Sequence, residues 1–236
     1  MQELNDILFL DIETVPLTDD FTKLAPTMQS LWLKKYDILK KTERESQQTD
    51  GENYFSRSGV FSEFARIVCI SVGMLHQGKF ILKSFASEDE REILTSFCAS
   101  LEKLSHKRAI RPCGHNIKEF DIPFICRRLL INGIKIPDTI NATGKKPWEV
   151  NFIDTLDMWR FGDYKSYTSL RLLCEVLQIP TPKDDIDGSE VAQVYYTLKD
   201  LNRISTYCKK DVVATARLYQ RLCSKPLLKD EDILFL

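Results

Sequence analysis

The chain has 236 residues, and its 33 basic and 34 acidic residues give a formal net charge of −1. This balance excludes a domain that binds nucleic acid through a strong overall positive field, so any contact with a polyanion has to be local. The 43% of hydrophobic residues is typical of one large α/β domain that buries a real core.

The first predicted element is a strand made of four consecutive apolar residues, Ile7-Leu8-Phe9-Leu10. Such a run is typical of a strand that is covered on both faces, and we expect it in the centre of a sheet. From residue 17 to about 64 the sequence becomes charged and polar, which indicates an insertion that is partly helical and partly mobile. Two β-rich runs, 66–75 and 80–85, then flank a short turn that contains Gly78, and they predict a hairpin.

Helical and strand patterns alternate after the hairpin. Ser87 and Glu90 predict a capping box, and the apolar spacing from Ile93 to Leu104 predicts a helix of about five turns. The later predicted elements are a strand at 109–113, a helix closed by Asn132-Gly133, a strand at 152–153, and helices at about 167–178, 188–198 and 200–223. The order predicts an α/β fold with a mixed central sheet flanked by helices, in a single domain over residues 1–236.

The cysteines and the N-terminus bear on the cellular compartment. The seven cysteines are odd in number, widely spaced and never arranged as C-x-x-C, which argues against a disulfide framework and against a zinc site. The first residues are acidic where a signal peptide is basic, and no apolar run reaches the length of a membrane span. We therefore expect a cytoplasmic protein with no membrane partner.

Two acidic residues lie at the end of the predicted central strand. Because side chains alternate along a strand, Asp11 and Glu13 share the face of Phe9. Two neighbouring carboxylates at the end of a buried strand raise each other's pKa and favour the binding of a divalent cation. The alternative interpretation is a strand end that is solvated.

The last predicted helix carries an aspartate beside its apolar stripe. Tyr207 and Asp211 lie four residues apart on or next to that stripe, which consists of Ile204, Cys208, Val212, Thr215 and either Leu218 or Leu222. An aspartate in this position needs a partner, which is either a hydroxyl in the core or a cation. Asp121, followed by Ile122-Pro123 and an apolar helix, is typical of a helix N-cap, and only its context from His115 onward favours a function.

Together these segments resemble the three exonuclease motifs of the DEDD superfamily in its tyrosine variety, which includes the proofreading domains of family-A and family-B DNA polymerases. Residues 8–14 resemble the first motif, 116–121 the second, and 207–211 the Y-x-x-x-D third. The likeness is closest to stand-alone bacterial predicted exonucleases related to the family-B domain, and it includes residues 159–162 and 183–188. It implies a ribonuclease-H-like fold and two Mg²⁺ or Mn²⁺ ions.

The resemblance also implies a role for each motif residue. Asp11 would contact both ions, Glu13 and Asp211 would complete the site that holds the attacking water, and Asp121 would serve the leaving-group site. Tyr207 would orient the water through its hydroxyl.

Further positions match residues that grip the terminal nucleotide in such enzymes. They are Thr14, Asn116 and Phe120, and we expect His115, which precedes Asn116, to touch the same site. Asn116 lies five residues before Asp121, whereas some polymerase domains have a spacing of four.

Other charged residues are candidates for supporting roles. Asp154 and Asp157 follow a predicted strand and could support the metal ligands, although helix capping is the preferred role for Asp157. The acids of residues 184–187 are expected to cap the next helix. Lys209 and Lys210 either neutralise a substrate backbone or are solvated.

The function that this combination predicts is the removal of nucleoside monophosphates from the 3′ end of single-stranded DNA. A 3′-5′ exoribonuclease is the alternative within enzymes, because carboxylates that act on the phosphate are indifferent to a 2′ hydroxyl. A nucleic-acid-binding module without catalysis should have lost at least one of the four acids, and a protein that recruits partners through its insertion or its tail is a third alternative.

The C-terminal tail, residues 225–236, ends in a repeated pentapeptide. Residues 232–236 have the same sequence as residues 6–10, but two copies do not make a repeat protein. The acidic and apolar end loosely resembles the Gln-x-x-Leu-Phe peptides that bind the bacterial sliding clamp, with Glu231 in place of the glutamine. The preferred interpretation is a tail that packs on its own domain or adds to a neighbour's sheet edge.

Overall fold

The computed structural model describes residues 4–40, 50–165, 167–180 and 186–236. Its strands are β1 Ile7–Pro16, β2 Ala65–His76, β3 Lys79–Ala86, β4 Arg111–Gly114, β5 Ile153–Asp154 and β6 Ile233–Phe235. They form one sheet in the order β5-β4-β1-β2-β3-β6. The pairs β1–β2 and β2–β3 are antiparallel, whereas β1–β4, β4–β5 and β3–β6 are parallel. The predicted mixed sheet is thereby confirmed.

Helices cover both faces of the sheet. They are α1 Pro26–Lys40, α2 Asp50–Arg57, α3 Glu90–Ser105, α4 Asp121–Ile131, α5 Thr155–Arg160, α6 Leu170–Val176, α7 Val191–Gln193 and α8 Leu201–Leu222. A π-helical turn, Val194–Leu198, continues α7. Within the ranges that the structure describes, no helix combines the length and the apolar character needed to cross a membrane.

β1 is a central strand, as predicted, and its two faces have different neighbours. Leu8, Leu10 and Ile12 pack in the cluster that α3 and α4 cover, whereas Ile7 and Phe9 pack against residues of α8. The strand is longer than the predicted 7–10, because pairing with β2 continues to Pro16. Asp11 and Glu13 therefore lie on the strand and on its α8 side, together with Phe9 as the alternation predicted, but the strand continues beyond them.

The predicted hairpin is confirmed. Gln77 and Gly78 join β2 to β3, with φ angles of 50° and 79°. Two consecutive residues in the left-handed region match the two-residue turn that the twist of antiparallel strands favours, and glycine adopts this region without strain.

The helix after the hairpin is confirmed, but its predicted capping box is wrong. Asp89 is the N-cap, and its Oδ1 accepts a hydrogen bond from the Arg91 N–H at 2.9 Å. Ser87 instead donates to Glu92 at 2.7 Å. Glu90 is unavailable for a capping box because its carboxylate points inward to Arg128.

Glu90 and Arg128 form a buried, two-point ion pair. Arg128 Nε and Nη2 donate to the two carboxylate oxygens at 2.8 and 2.6 Å, and Nη1 donates to the Ser62 carbonyl at 2.9 Å. The backbone N–H of Ile67 and the amide of Asn132 also donate to Glu90, at 2.8 and 2.9 Å. This network links α3, α4 and β2 to Ser62, which lies near the end of the segment before β2.

The segment predicted as an insertion, 17–64, contains α1, α2 and an aromatic cluster of its own. Trp32 is fully buried, and its ring lies 5.2 Å from the ring of Phe64 and 5.5 Å from that of Tyr54. The Thr14 hydroxyl donates to the Gly59 carbonyl at 2.7 Å, which ties the segment to β1. Residues 41–49, where the mobile part of the insertion was expected, lie outside the described residues.

The predicted helices of the C-terminal half are present, and two are shorter than predicted. The acids at 184 and 185, and half of the 183–188 likeness, lie outside the described ranges. Asp187 accepts from the Ser189 N–H at 2.8 Å and closes a turn, whereas Glu190 is at the N-cap of α7 and makes no side-chain cap. The prediction that Asp187 caps this helix was therefore wrong.

The tail packs on its own domain, which confirms one of the two preferred alternatives. β6 is the edge strand next to β3, and Lys79 Nζ lies 2.7 Å from the carboxylate of Asp232. The buried Arg217 of α8 donates to the carbonyls of Leu228 and Pro180 at 3.0 and 2.6 Å. Binding of the tail to a sliding clamp stays a prediction.

We expect Arg128→Ala to lower the free energy of unfolding by about 3 kcal/mol or more, because it leaves the Glu90 carboxylate buried without its cation. Urea denaturation followed by circular dichroism measures the change. The neighbouring Arg127 is exposed and provides the control, since Arg127→Ala should change stability by about 0.5 kcal/mol or less. Equal effects of the two substitutions would contradict the structural role of the pair.

Candidate active site

Three parallel strands bring the candidate site together. The carboxyl ends of β1, β4 and β5 lie at the same edge of the sheet, with Phe9 paired to Cys113 and Gly114 paired to Asp154. The loop that follows β4 therefore begins beside the part of β1 that carries Asp11. Helix α8 crosses the same face, so residues that are distant in sequence meet at one place.

Asp11 and Glu13 form the centre of the site. Ligand atoms of Asp11, Glu13 and Cys208 all lie within 4.8 Å of one another. Asp11 Oδ2 is buried and accepts no hydrogen bond from any residue in the described part of the chain. A buried carboxylate oxygen without a donor is costly, so this atom marks a place for a ligand that the chain itself does not supply.

The pKa values show that the four predicted carboxylates converge. Burial raises the pKa of Asp11 and of Glu13 well above the ordinary value, and the negative charge of Asp211 raises both further. Burial raises the pKa of Asp121 to about 7, and Asp154 and Asp211 act in the same direction. Asp211 thus acts on all three of the other acids, which places α8, α4 and β1 around a common centre.

Asp121 is the first residue of α4, and the alternative interpretation of this residue as a helix N-cap was wrong. The residue in the cap position is Phe120, which makes no side-chain cap. The Asp121 carboxyl instead accepts a hydrogen bond from the backbone of Ile12, which lies between Asp11 and Glu13. The side chain therefore points back to β1 rather than along its own helix.

Tyr207 is held next to the acids from one turn earlier on α8. Its hydroxyl hydrogen-bonds to Asp211, and burial, followed by the charges of Asp211 and Glu13, raises its pKa far above the ordinary value. The hydroxyl is therefore protonated at any physiological pH and is available as a hydrogen-bond donor.

The donor set favours a hard divalent cation. The Cys208 thiol donates to the Asp11 carbonyl at 3.4 Å, and burial raises its pKa well above the ordinary value, so the sulfur remains a neutral thiol. The other donors are carboxylate oxygens, which are the ligands that Mg²⁺ and Mn²⁺ prefer. The residues present fit Mg²⁺ or Mn²⁺ better than a thiophilic metal.

Asp154 shapes the loop between β4 and α4. Its carboxylate accepts hydrogen bonds from the N–H groups of Asn116 at 2.9 Å and Lys118 at 3.1 Å, and from Leu156 at 2.9 Å as the N-cap of α5. Helix capping was predicted for Asp157, which instead pairs with Lys118 and Arg160, each at 3.0 Å. Asp154 therefore supports the site by fixing the backbone of the second motif.

Two backbone features shape the loop that carries Asn116. Gly114 has room for no side chain, because an added Cβ would lie 2.7 Å from Cβ of Ile117. Asn116 has a φ of 63°, in the left-handed region that asparagine tolerates better than most residues. Its Oδ1 is buried and has no hydrogen-bond partner among the residues described.

Other predicted substrate-binding residues make contacts within the chain. The Thr14 hydroxyl binds the Gly59 carbonyl, and the His115 ring nitrogens lie 2.8 Å from the Thr168 carbonyl and 2.9 Å from the Thr155 hydroxyl. Phe120 is half-buried, with its ring 5.5 Å from that of Phe124. Contacts of these residues with a nucleotide stay predictions.

The two lysines of the third motif face the tail. Lys209 and Lys210 line a cavity of about 310 Å³ together with residues of β6. Lys209 Nζ lies 5.9 Å from the centre of the Phe235 ring. Lys209 therefore lies close to the C-terminal tail, a contact that the sequence did not indicate.

Tyr167 was not selected from the sequence, although it borders the site. Its pKa is raised by burial and then by the charges of Asp121 and Asp11, and its ring lies 6.2 Å from that of His115. The sequence feature that could have identified Tyr167 is the spacing of aromatic residues at 161, 164 and 167, directly after an arginine.

Comparisons with known proteins bear on the family and the fold. A family model described as "Predicted 3'-5' exonuclease related to the exonuclease domain of PolB" matches residues 60–228, a range that begins after β1. An uncharacterized protein of Methanocaldococcus jannaschii is 27% identical over 171 residues, which cover 70% of this chain and 90% of that protein. The family B DNA polymerase from the hyperthermophilic archaeon Pyrobaculum calidifontis matches 92% of this chain with a TM-score of 0.55 and 15% identity.

The polymerase comparison establishes the fold. This chain spans 24% of the length of the polymerase, so only one part of the larger protein is matched. The mixed six-stranded sheet with flanking helices corresponds to its ribonuclease-H-like exonuclease domain. The predicted fold class is therefore confirmed.

We expect Asp211→Asn to raise the melting temperature of the metal-free protein, because it removes a charge that raises the pKa of Asp11, Glu13 and Asp121. Groups with a raised pKa bind protons more tightly in the folded state. Their stabilising contribution is therefore complete below about pH 4 and is lost as the pH rises towards the pKa of about 7 of Asp121.

The difference in melting temperature between Asp211→Asn and the parent should therefore grow between pH 5 and about pH 8. Differential scanning fluorimetry in the presence of chelator measures it. The exposed Asp138 provides the control, since Asp138→Asn should melt with the parent at every pH. A variant that melts several degrees lower would show that Asp211 is a structural hydrogen-bonding residue.

Proposed function

The chain belongs to the family of predicted 3′-5′ exonucleases related to the exonuclease domain of PolB, and we propose that it removes nucleoside monophosphates from the 3′ end of single-stranded DNA. One observation carries the proposal beyond the family. Four carboxylates converge between β1, α4 and α8, and the central one has a buried oxygen without a donor. A divalent cation stabilises such a group of acids, because it offsets their like charges and coordinates the unpartnered oxygen.

The four acids are proposed to hold two Mg²⁺ or Mn²⁺ ions. Asp11, at the centre, would hold both, while Glu13 and Asp211 would complete one site and Asp121 the other. When bound, a pair of such ions supplies an activated water on one side of a phosphodiester and charge stabilisation for the leaving 3′ oxygen on the other. The raised pKa values of the acids fall when cations bind, since the positive charge offsets their mutual repulsion.

Tyr207 is proposed to orient the attacking water. Its hydroxyl stays protonated, and its hydrogen bond with Asp211 fixes it beside the acids. Because the phenol gives up no proton at physiological pH, it positions the water and does not act as a general base.

The second motif is proposed to grip the terminal nucleotide. Asn116 Oδ1 accepts a hydrogen bond from a sugar hydroxyl, which provides the donor that this buried oxygen lacks within the described residues. Phe120 packs on the terminal base or sugar. Thr14 is held by its hydrogen bond to the Gly59 carbonyl, and His115 by its contact with the Thr168 carbonyl. From these positions both side chains contact the nucleotide.

The direction of degradation and the sugar are tested with labelled strands. Single strands of DNA and RNA, labelled at either end, are incubated with Mg²⁺, with Mn²⁺ or with chelator. We expect a 5′-labelled DNA strand to shorten progressively, a 3′-labelled strand to release labelled mononucleotide at once, and chelator to stop both reactions. Cleavage that resists chelator would contradict the proposal, and faster degradation of RNA would assign an exoribonuclease.

The assigned roles predict different effects of Asp11→Asn and Tyr207→Phe. Asp11→Asn should lower kcat by about a thousandfold or more, because it removes the ligand shared by both ions. Tyr207→Phe should lower kcat by about tenfold or more while the stabilisation by Mn²⁺ persists. The control, Asp138→Asn at an exposed position, should have the same kcat and the same stabilisation by Mn²⁺ as the parent. Loss of Mn²⁺ stabilisation in Tyr207→Phe would refute the role given to the tyrosine.

A further inference from the structure

Three aromatic side chains are exposed within seven residues after α5. Phe161, Tyr164 and Tyr167 are 86%, 71% and 62% exposed. A single exposed aromatic residue needs no explanation, but a group of them on one short segment marks a surface that contacts something. These three residues are called the aromatic surface below.

The aromatic surface borders the second motif. The Tyr167 ring contacts the His115 ring edge to face, with the centroids 6.2 Å apart. The Arg160 guanidinium lies 5.3 Å from the Tyr164 ring and pairs with Glu119, two residues before the metal-ligand candidate Asp121. Tyr167 and Tyr164 therefore border the pocket proposed for the terminal nucleotide, and Phe161 directly follows Arg160 in the sequence.

The backbone presents Phe161 to solvent at a cost in strain. Its φ of 45° lies in the left-handed region, which is unfavourable for a bulky residue, and its side chain gains almost no burial. A hydrogen bond of 2.7 Å from the Asp163 N–H to the Arg160 carbonyl closes the turn. The His115 contact with the Thr168 carbonyl holds the other end of the segment. An exposed phenylalanine in a fixed, strained turn gives folding no evident benefit.

The charges around the aromatic surface favour bases over phosphates as its ligand. Arg160 pairs with Asp157 and Glu119, and Lys118 pairs with Asp157, so these two cations are already paired, while Lys165 is exposed between Tyr164 and Tyr167 in the sequence. The rings themselves offer flat apolar faces, on which an unpaired base can stack. In a duplex the bases are stacked on each other and cannot reach these rings.

We propose that the aromatic surface stacks the unpaired bases that precede the terminal nucleotide, so that the protein acts on a single strand of several nucleotides. This inference rests on the proposed function, since it places the rings on the path to the carboxylates. Three rings and the terminal pocket together engage roughly four nucleotides. The contacts involve bases and not the 2′ hydroxyl, so they bind DNA and RNA strands alike.

Binding is measured by fluorescence anisotropy with labelled oligothymidylates, using the full chain with Asp11→Asn to prevent cleavage. Affinity should rise with strand length up to roughly four nucleotides and then level off. Adding Phe161→Ala should weaken binding of a ten-nucleotide strand by about tenfold, and replacing all three rings by alanine should weaken it by about a hundredfold or more. Phe161→Trp should retain the affinity, because it retains a stacking face.

Leu130→Ala is the matched control. Leu130 is as exposed as the rings but lies nine residues beyond Asp121 along α4, about 14 Å away. This substitution should leave binding unchanged. Melting temperatures of all variants show whether they fold, and equal binding by the parent and the three-alanine variant would overturn the proposal.

Cleavage separates this proposal from the proposed function. In the parent background, the three-alanine variant should raise KM for a ten-nucleotide strand at least tenfold more than it raises KM for a dinucleotide. If the parent cleaves neither substrate with Mg²⁺ or Mn²⁺ but binds the strand through its rings, the proposed function fails and the stacking surface stands. If the parent cleaves both and the variant has an unchanged KM, the stacking surface fails alone.

Discussion

The burial of like-charged carboxylates between the central strand and the last helix is the constraint on which the rest of the structure depends. Glu13 is buried, Asp11 carries an unpartnered oxygen, and the charge of Asp211 acts on both. Burial and the charge of Asp211 raise the pKa of Asp11, Glu13 and Asp121, which opposes folding at neutral pH when no cation is bound. Packing and hydrogen bonds outside the site therefore have to supply the stability of the frame, which is the part of the domain that keeps these carboxylates together.

The frame has two parts on opposite faces of the sheet. On one face, the Glu90–Arg128 network links α3, α4 and β2, and each of the three guanidinium nitrogens of Arg128 donates to an acceptor. On the other, α8 packs along β1 and carries the third motif at its middle, while its buried Arg217 holds the tail. Between them, the Asp154 carboxylate accepts hydrogen bonds from two backbone N–H groups of the second motif, while the Asn116 side-chain oxygen has no partner among the described residues. The strain of the site is therefore offset by packing and hydrogen bonds outside it.

Local periodicity made the elements and the motif residues predictable, but partners distant in the chain were not. The alternation along β1 and the apolar stripe of α8 identified the faces that carry the acids. The capping box at Ser87 failed because Glu90 is engaged by Arg128, 38 residues later. The repeated pentapeptide is instructive: residues 7–10 are buried at the centre of the sheet, whereas residues 234–236 are exposed at its edge. The same sequence forms strand in both places, and only the neighbouring strands decide its burial.

The central claim is that the four carboxylates form the site of two divalent cations, and anomalous diffraction from crystals soaked in Mn²⁺ tests it most directly. Two manganese peaks should appear between β1 and α8, each within about 2.5 Å of an Asp11 carboxylate oxygen. One of them should also contact Glu13 and Asp211, and the other should contact Asp121. The absence of any peak beside Asp11, or a single peak bound to the sulfur of Cys208, would contradict the account.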